Sequence, residues 1–350
     1  MSGSLLRLAC TAAVAAQAVL APVPAAAAPE PRRSVAELLT DLQRLYRQTE
    51  QAAEKYNATT EQLERQRAEV HRLDGELAHA RLALQGSRTD VGRLARQQYQ
   101  NSGGLGPYVR LLLAPDPQAA LDEGHVIGEL ARARARTVAR LADTEKRKDT
   151  LARAARKALD TQLVLAGRQK KQRDDVRTEL AGVERLLATL TPEQLTAVAR
   201  LERQGVAEAQ QRLTTAGSLP ADRPASPVGA RAVRYAMEQV GKPYEWGAAG
   251  PDAYDCSGLT SQAWSQAGTP IPRTSQEQWD RLKRVPLPQL RPGDLVVYFP
   301  DATHVALYVG NGRVVQAPRP GERVTVSPLA SYPVLGAVRP DDQAPATEAR

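Results

Sequence analysis

From Val35 onward apolar side chains recur in sevens. Positions 35, 42, 49, 56, 63, 70, 77, 84 and 91, taken with 38, 45, 52, 59, 66, 73, 80, 87 and 94, are apolar at fourteen of eighteen sites. Nine heptads of this kind specify a long helix with a narrow apolar seam and a left-handed supercoil, which excludes a compact globular core over that stretch. A breaker, Asn101-Ser102-Gly103-Gly104-Leu105-Gly106-Pro107, ends the run, and prolines at 115 and 117 follow a short apolar patch. A second helical stretch with poorer heptads covers residues 119–190. At about 1.5 Å per residue the two helices reach roughly 100 and 108 Å, so matched lengths around a glycine-rich break predict an antiparallel hairpin. Thr191-Pro192-Glu193 reads as an N-cap with proline at the first helical position, opening a further helix to about Leu213. Acidic and basic residues interleave throughout, the pattern of a solvated helix face. His71, His79 and His125 lie there with no cysteine nearby and are read as surface or seam residues, not ligands.

The ends differ from this rod. Residues 1–28 carry one basic side chain, an apolar run and Ala25-Ala26-Ala27-Ala28, and are expected to be a secretory signal peptide. Cys10 precedes the apolar core, a position that does not suit lipidation. Removing the peptide leaves Cys256 as the sole thiol of an exported protein, a candidate reactive group. The expected organisation is a coiled-coil hairpin over 34–215, a Pro/Ala/Ser linker over 216–228, a compact domain over 229–340 and a disordered tail over 341–350. Ten of the fourteen aromatic residues fall in the compact domain. A net charge of +8 favours anionic partners, but dispersed basic residues in an exported chain argue against nucleic acid.

The compact domain has one cysteine, Cys256, and one histidine, His304. That is a poor metal set, and no metal or cofactor is expected. The same pair is the minimum for thiol nucleophilic catalysis. Leu259, Ala263 and Ala267 recur at helical spacing, placing Cys256 in the first turn of a helix whose positive end is expected to lower the thiol pKa toward neutrality. Gly258 leaves room for a close approach. Asp255 reads either as the N-cap of that helix or as a site residue. Residues 295–299 and 305–309 are strand-like, and Gly310-Asn311-Gly312 turns the chain toward Val314-Val315. A three-residue loop pairs Ala306 with Gln316 and sets Gln316 diagonal to His304 on one face. There Gln316 either orients the imidazole or is simply a polar residue on a half-exposed strand.

Four strings in order, Gly241-Lys-Pro-Tyr-Glu-Trp-Gly, Tyr254-Asp-Cys-Ser-Gly-Leu, Leu290-Arg-Pro-Gly-Asp-Leu and His304-Val-Ala-Leu-Tyr-Val-Gly, resemble the NlpC/p60 family of cysteine peptidases. The resemblance implies an α+β, papain-like domain with a helix on a small antiparallel sheet, following an all-α coiled-coil hairpin. It further implies hydrolysis of peptidoglycan stem peptides, most often between γ-D-glutamate and diaminopimelate. Carried over residue by residue, Cys256 is the nucleophile, His304 the base, and Tyr244 a phenol for substrate or oxyanion. Asp255 and Ser257 match positions that hold polar groups of the stem peptide. Gln316 departs from the His, Asn or Glu often found at the third catalytic position. The helical half is similar to that of division-regulated cell-wall hydrolases, which implies an ABC-transporter-like membrane partner and a hairpin able to cover the active site. The competing expectation is a non-catalytic wall scaffold or adaptor that uses the coiled coil to recruit partners.

Overall fold

The computed structural model describes residues 33–100, 107–112, 116–217, 219 and 223–342. The expected signal peptide, and most of the glycine-rich breaker, lie outside them. Helix α1 (Val35–Gln100) runs against α3 (Pro117–Ala188), with the short α2 (Pro107–Leu112) between them in sequence and α4 (Pro192–Thr215) after them. Gln66 bonds the carbonyl of Ala158, Gln169 bonds Thr60, and Arg88 pairs with Glu145, so numbers rise on one helix as they fall on the other. The pair is an antiparallel hairpin, as expected. Its seam holds Leu38, Leu42, Leu63, Leu73, Leu77, Ala80 and Leu84 of α1, all on the heptad registers, against Ala155, Ala158, Val176 and Val183 of α3. Asp116 caps α3, and a reciprocal capping box between Thr191 and Gln194 starts α4, each with proline just inside the helix.

Four residues of α1 are buried on another face. Glu50, Ala53, Glu54 and Asn57 follow the i, i+3, i+4, i+7 spacing of one helix stripe, and they face the C-terminal domain.

That domain comprises α5 (Pro227–Glu238), α6 (Cys256–Gln266), α7 (Ser275–Arg281) and strands β1 (Lys283–Val285), β2 (Leu295–Tyr298), β3 (His304–Gly310), β4 (Arg313–Gln316), β5 (Thr325–Pro328) and β6 (Val334–Arg339). The strands form one antiparallel sheet in the order β1-β6-β2-β3-β4-β5. Alternate side chains serve opposite faces, as strand geometry requires. Leu295, Val297, Val305, Leu307 and Val315 meet Ala232, Leu259, Ala263 and Trp264 of α5 and α6. Val296, Tyr298, Ala306, Tyr308 and Val314 form the second face with Leu290 and Leu329. Covering both faces makes β2 wholly buried, which is why it reads as a continuous apolar run.

The end of α4 and the segment that follows it are engaged with this second face. Leu213 and Leu219 pack on it, and Gln210 bonds both the carbonyl of Gly312 and the amide of Ala330. At the other end, where a disordered tail was expected from 341, Asp341 and Asp342 close a 3-10 turn and pair with Arg291 and Lys283. Two added carboxylates meeting two cations anchor the first residues of that segment, and residues 343–350 lie outside the described ones.

Candidate active site

Cys256 is the first residue of α6. Asp255 caps the helix, its Oδ1 accepting from the Gly258 amide at 2.6 Å. Gly258 is required there because a Cβ would sit 2.1 Å from the carbonyl oxygen of Ala248. The close approach expected at this glycine is therefore made by backbone. Asp255 is more heavily engaged than a cap alone demands. Its carboxylate also accepts from the Gly247 amide, from Arg273 through two nitrogens at 2.8 and 3.0 Å, and from Asn57 of α1 at 3.0 Å.

His304 opens β3 opposite Tyr298 and is fully buried. Its Nε2 lies 2.7 Å from Gln316 Oε1, and the Gln316 amide nitrogen donates to Ser327 Oγ at 2.9 Å. The hairpin behind this contact is built in two steps. Gly310 sits opposite Arg313 across an Asn311-Gly312 turn, and an irregularity between Tyr308 and Gly310 then shifts the register so that Tyr308 faces Val314 and Leu307 faces Val315. The shift does the work expected of a three-residue loop and brings Gln316 onto the face of His304. Positive φ at Gly310, Asn311 and Gly312 explains the residue types. Tyr332 stands edge-on to the imidazole, with ring centroids 4.9 Å apart, and Tyr298 lies on it at 5.6 Å.

The rod closes this site. Glu50 Oε1 is 3.1 Å from His304 Nδ1, an ion-pair distance, although off the line of a good hydrogen bond. One turn on, Glu54 Oε1 accepts from Ser257 Oγ at 2.7 Å and lies 4.0 Å from Cys256 Sγ, while its Oε2 accepts from the Ser275 amide at 2.9 Å. Arg273 bridges Ser257 and Asp255 from the other side. A buried carboxylate is tolerated only when so provided with donors. Around it, Tyr56 packs edge-on to Trp246, Arg47 and Gln51 reach Asp301, and Glu202 of α4 makes a two-pronged pair with Arg319, whose guanidinium lies over Tyr46.

The electrostatics follow from this cover. Burial and the neighbouring Asp255 charge push Glu54 up to about 7. Burial, then the charges of Glu54, Asp255 and Glu50, hold the Cys256 thiol well above its ordinary value. The lowered thiol expected from the helix terminus is not found, because desolvation and three carboxylates outweigh the dipole while the rod is seated. For His304 burial alone would lower the pKa, but Glu50 and the Gln316 bond reverse the sign and the net shift is upward. Tyr244, also buried, is raised by desolvation and by the charge of Cys256, which puts its phenol in the same electrostatic neighbourhood.

Of the residues singled out in the sequence, Cys256, Asp255, Ser257, His304, Gln316 and Tyr244 are all buried around this one groove. Those the sequence reading missed are Glu50, Glu54, Asn57, Arg273, Ser275 and Ser327. Arg273 had a usable signal, since it precedes the Thr274-to-Glu277 cap of α7, an N-terminus legible as a capping box pattern.

A family model described as NlpC/P60 matches residues 241–335. The chain is 44% identical over 116 residues to a probable endopeptidase of Corynebacterium glutamicum, a match covering 33% of this chain and 56% of that protein, so it spans about half the length of that relative. It is 38% identical over 111 residues to the peptidoglycan endopeptidase RipA of Mycolicibacterium smegmatis, covering 28% of this chain and 22% of that one. A probable endopeptidase of Mycobacterium tuberculosis is 30% identical over 345 residues, and there the match covers 87% of this chain and 89% of the relative, rod included. With the family's domain at 241–335 and a relative aligned along nearly its whole length, the chain belongs to the NlpC/P60 family.

Proposed function

We propose that the protein is a secreted, cell-wall-associated peptidoglycan endopeptidase that cuts stem-peptide amide bonds, the γ-D-glutamyl-diaminopimelate bond foremost, and that its resting form is closed by its own rod. The observation that carries this reading is the seating of two rod carboxylates, Glu50 and Glu54, against the imidazole and thiol of a groove built like a thiol-hydrolase site. In the open form the thiol loses those carboxylates and regains the benefit of the α6 terminus. His304 takes the Cys256 proton, and the thiolate attacks the scissile carbonyl carbon. Tyr244 and the positive end of α6 face the oxyanion. The imidazolium, held by the Gln316 carbonyl, gives its proton to the leaving amine as the C–N bond breaks. Water, deprotonated by the same ring, then attacks the thioester and releases the peptide carboxylate and the free thiol. Ser257 and the Ser275 amide, which receive the Glu54 carboxylate in the closed form, are set to receive a carboxyl group of the stem peptide.

The distal end of the hairpin supports a partner there. Tyr99, Leu112 and Leu121 are all more than two-thirds exposed, an apolar display that fits docking to a membrane complex of the ABC-transporter type. No described helix is long and apolar enough to cross a membrane.

The test is mass spectrometry of muropeptides after digestion by full-length protein opened by Glu50→Ala and Glu54→Ala, with and without Cys256→Ala. New amino termini on diaminopimelate, lost with the thiol, are expected. Muropeptide binding without cleavage by the opened protein would favour the scaffold reading.

A further inference from the structure

Hydrogen bonding from the imidazole does not end at Gln316. The amide nitrogen of Gln316 donates to Ser327 Oγ at 2.9 Å while its carbonyl faces His304 Nε2 at 2.7 Å, so the side chain is held at both ends. Sheet register makes this possible. Gln316 pairs with Thr325 across β4 and β5, and Ser327, two residues along, is its diagonal neighbour on the same face. Gln316 is buried and Ser327 half-buried.

The second contact matters because the terminal torsion of glutamine is soft and its two ends differ chemically. A carbonyl toward Nε2 accepts the ring proton and supports the doubly protonated imidazole. An amide nitrogen there would set donor against donor as soon as the ring is charged. With a neutral amide in place of a carboxylate, correct presentation of the oxygen is all that this position contributes.

We infer that Ser327 is a positioning residue of the reaction: its hydroxyl anchors the Gln316 amide so that the carbonyl stays aimed at His304 Nε2 and stabilises the charged ring. The inference rests on the proposed thiol mechanism for its consequence, but on geometry for its existence. The ring is also faced by Glu50 and, farther off, Glu54 from α1, and by Tyr298 and Tyr332 on the sheet side. These neighbours are common to wild type and variants and cancel in the comparison.

The experiment uses the full chain labelled with 15N-histidine, in which the exposed His71, His79 and His125 of the rod serve as internal references. Nitrogen shifts of His304 are followed against pH in wild type, Ser327→Ala, Ser327→Thr, Gln316→Ala and the Ser327→Ala/Gln316→Ala pair. Ser327→Ala should lower the His304 midpoint, Ser327→Thr should restore it, and the pair should fall no further than Gln316→Ala alone. In the opened protein Ser327→Ala should lower kcat by about three- to tenfold, the scale of one hydrogen bond. It should also move the alkaline limb of the pH–rate profile downward, with KM unchanged. An unmoved midpoint in Ser327→Ala, a threonine that fails to restore it in a folded protein, or losses that add in the pair would each overturn the inference. Hydrolysis surviving Cys256→Ala would defeat the proposed mechanism instead, and the ring titration would still decide the role of Ser327.

Discussion

Glu50 of the rod and His304 of the sheet meet at 3.1 Å, and the imidazole nitrogen so engaged is the one not held by Gln316. The two ring nitrogens thus have different owners, one within the catalytic domain and one outside it. Under the proposed chemistry the nitrogen that must take a proton from the thiol is the one the rod occupies, so activity and closure compete for one atom.

Glu54→Ala should open the groove. The side chain gives up acceptor contacts to Ser257 and the Ser275 amide, and each is worth about 1.5–3 kcal/mol when a charged group is involved. Alkylation of Cys256 by iodoacetamide should quicken by tenfold or more. A rate equal to wild type would show that Glu54 does not restrain the thiol.

Closure should weaken as pH rises. Glu54 titrates at about 7 when seated against an ordinary 4.5, and His304 and Cys256 are also raised. All three hold protons more tightly in the closed form, so closing takes protons up, is most favoured at low pH, and is lost as pH climbs through about 7. Energy transfer between dyes on the rod and the catalytic domain should fall as pH rises from about 4.5 to about 7, the span over which Glu54 loses its proton preference for the closed form. A rise over that span contradicts the linkage.

Arg319 links the catalytic domain to α4 and to Tyr46 at once. Arg319→Ala and Glu202→Ala should each raise Cys256 accessibility, and a double-mutant cycle should give a coupling of about 1 kcal/mol for this partly exposed two-pronged pair. Additive effects would mean that the pair does not fasten the rod.

Gly258→Ala should damage folding more than chemistry. Its Cβ would lie 2.1 Å from the Ala248 oxygen, inside a capped helix terminus that cannot retreat. A loss of roughly 1–3 kcal/mol or more in denaturant unfolding is expected. Unchanged stability would mean that the Ala248 turn yields freely.

The seam of α1, the thiol at a helix start and the Gln316 register were all legible because each leaves a periodic or local mark: apolar heptads, a capped turn, a hairpin whose loop length sets facing. Glu50, Glu54 and Asn57 left none. A polar stripe that docks on polar groups has the same letters as a stripe that faces water, and hydropathy cannot separate them. The raised thiol pKa leaves no mark in the sequence for a related reason, since the helix dipole is local whereas the cover over it comes from the far end of the chain.

The length of α1 sets how little motion is needed. A tilt of about 10° pivoting at Leu38 would carry Glu54 roughly 4 Å and the remote end of the helix roughly 16 Å, at about 1.5 Å of rise per residue. Four ångströms is enough to part every bond that Glu54 makes. The hairpin is therefore a lever: a broad, gentle sway at its tip arrives at the groove as a short stroke of the size that hydrogen bonds cannot survive.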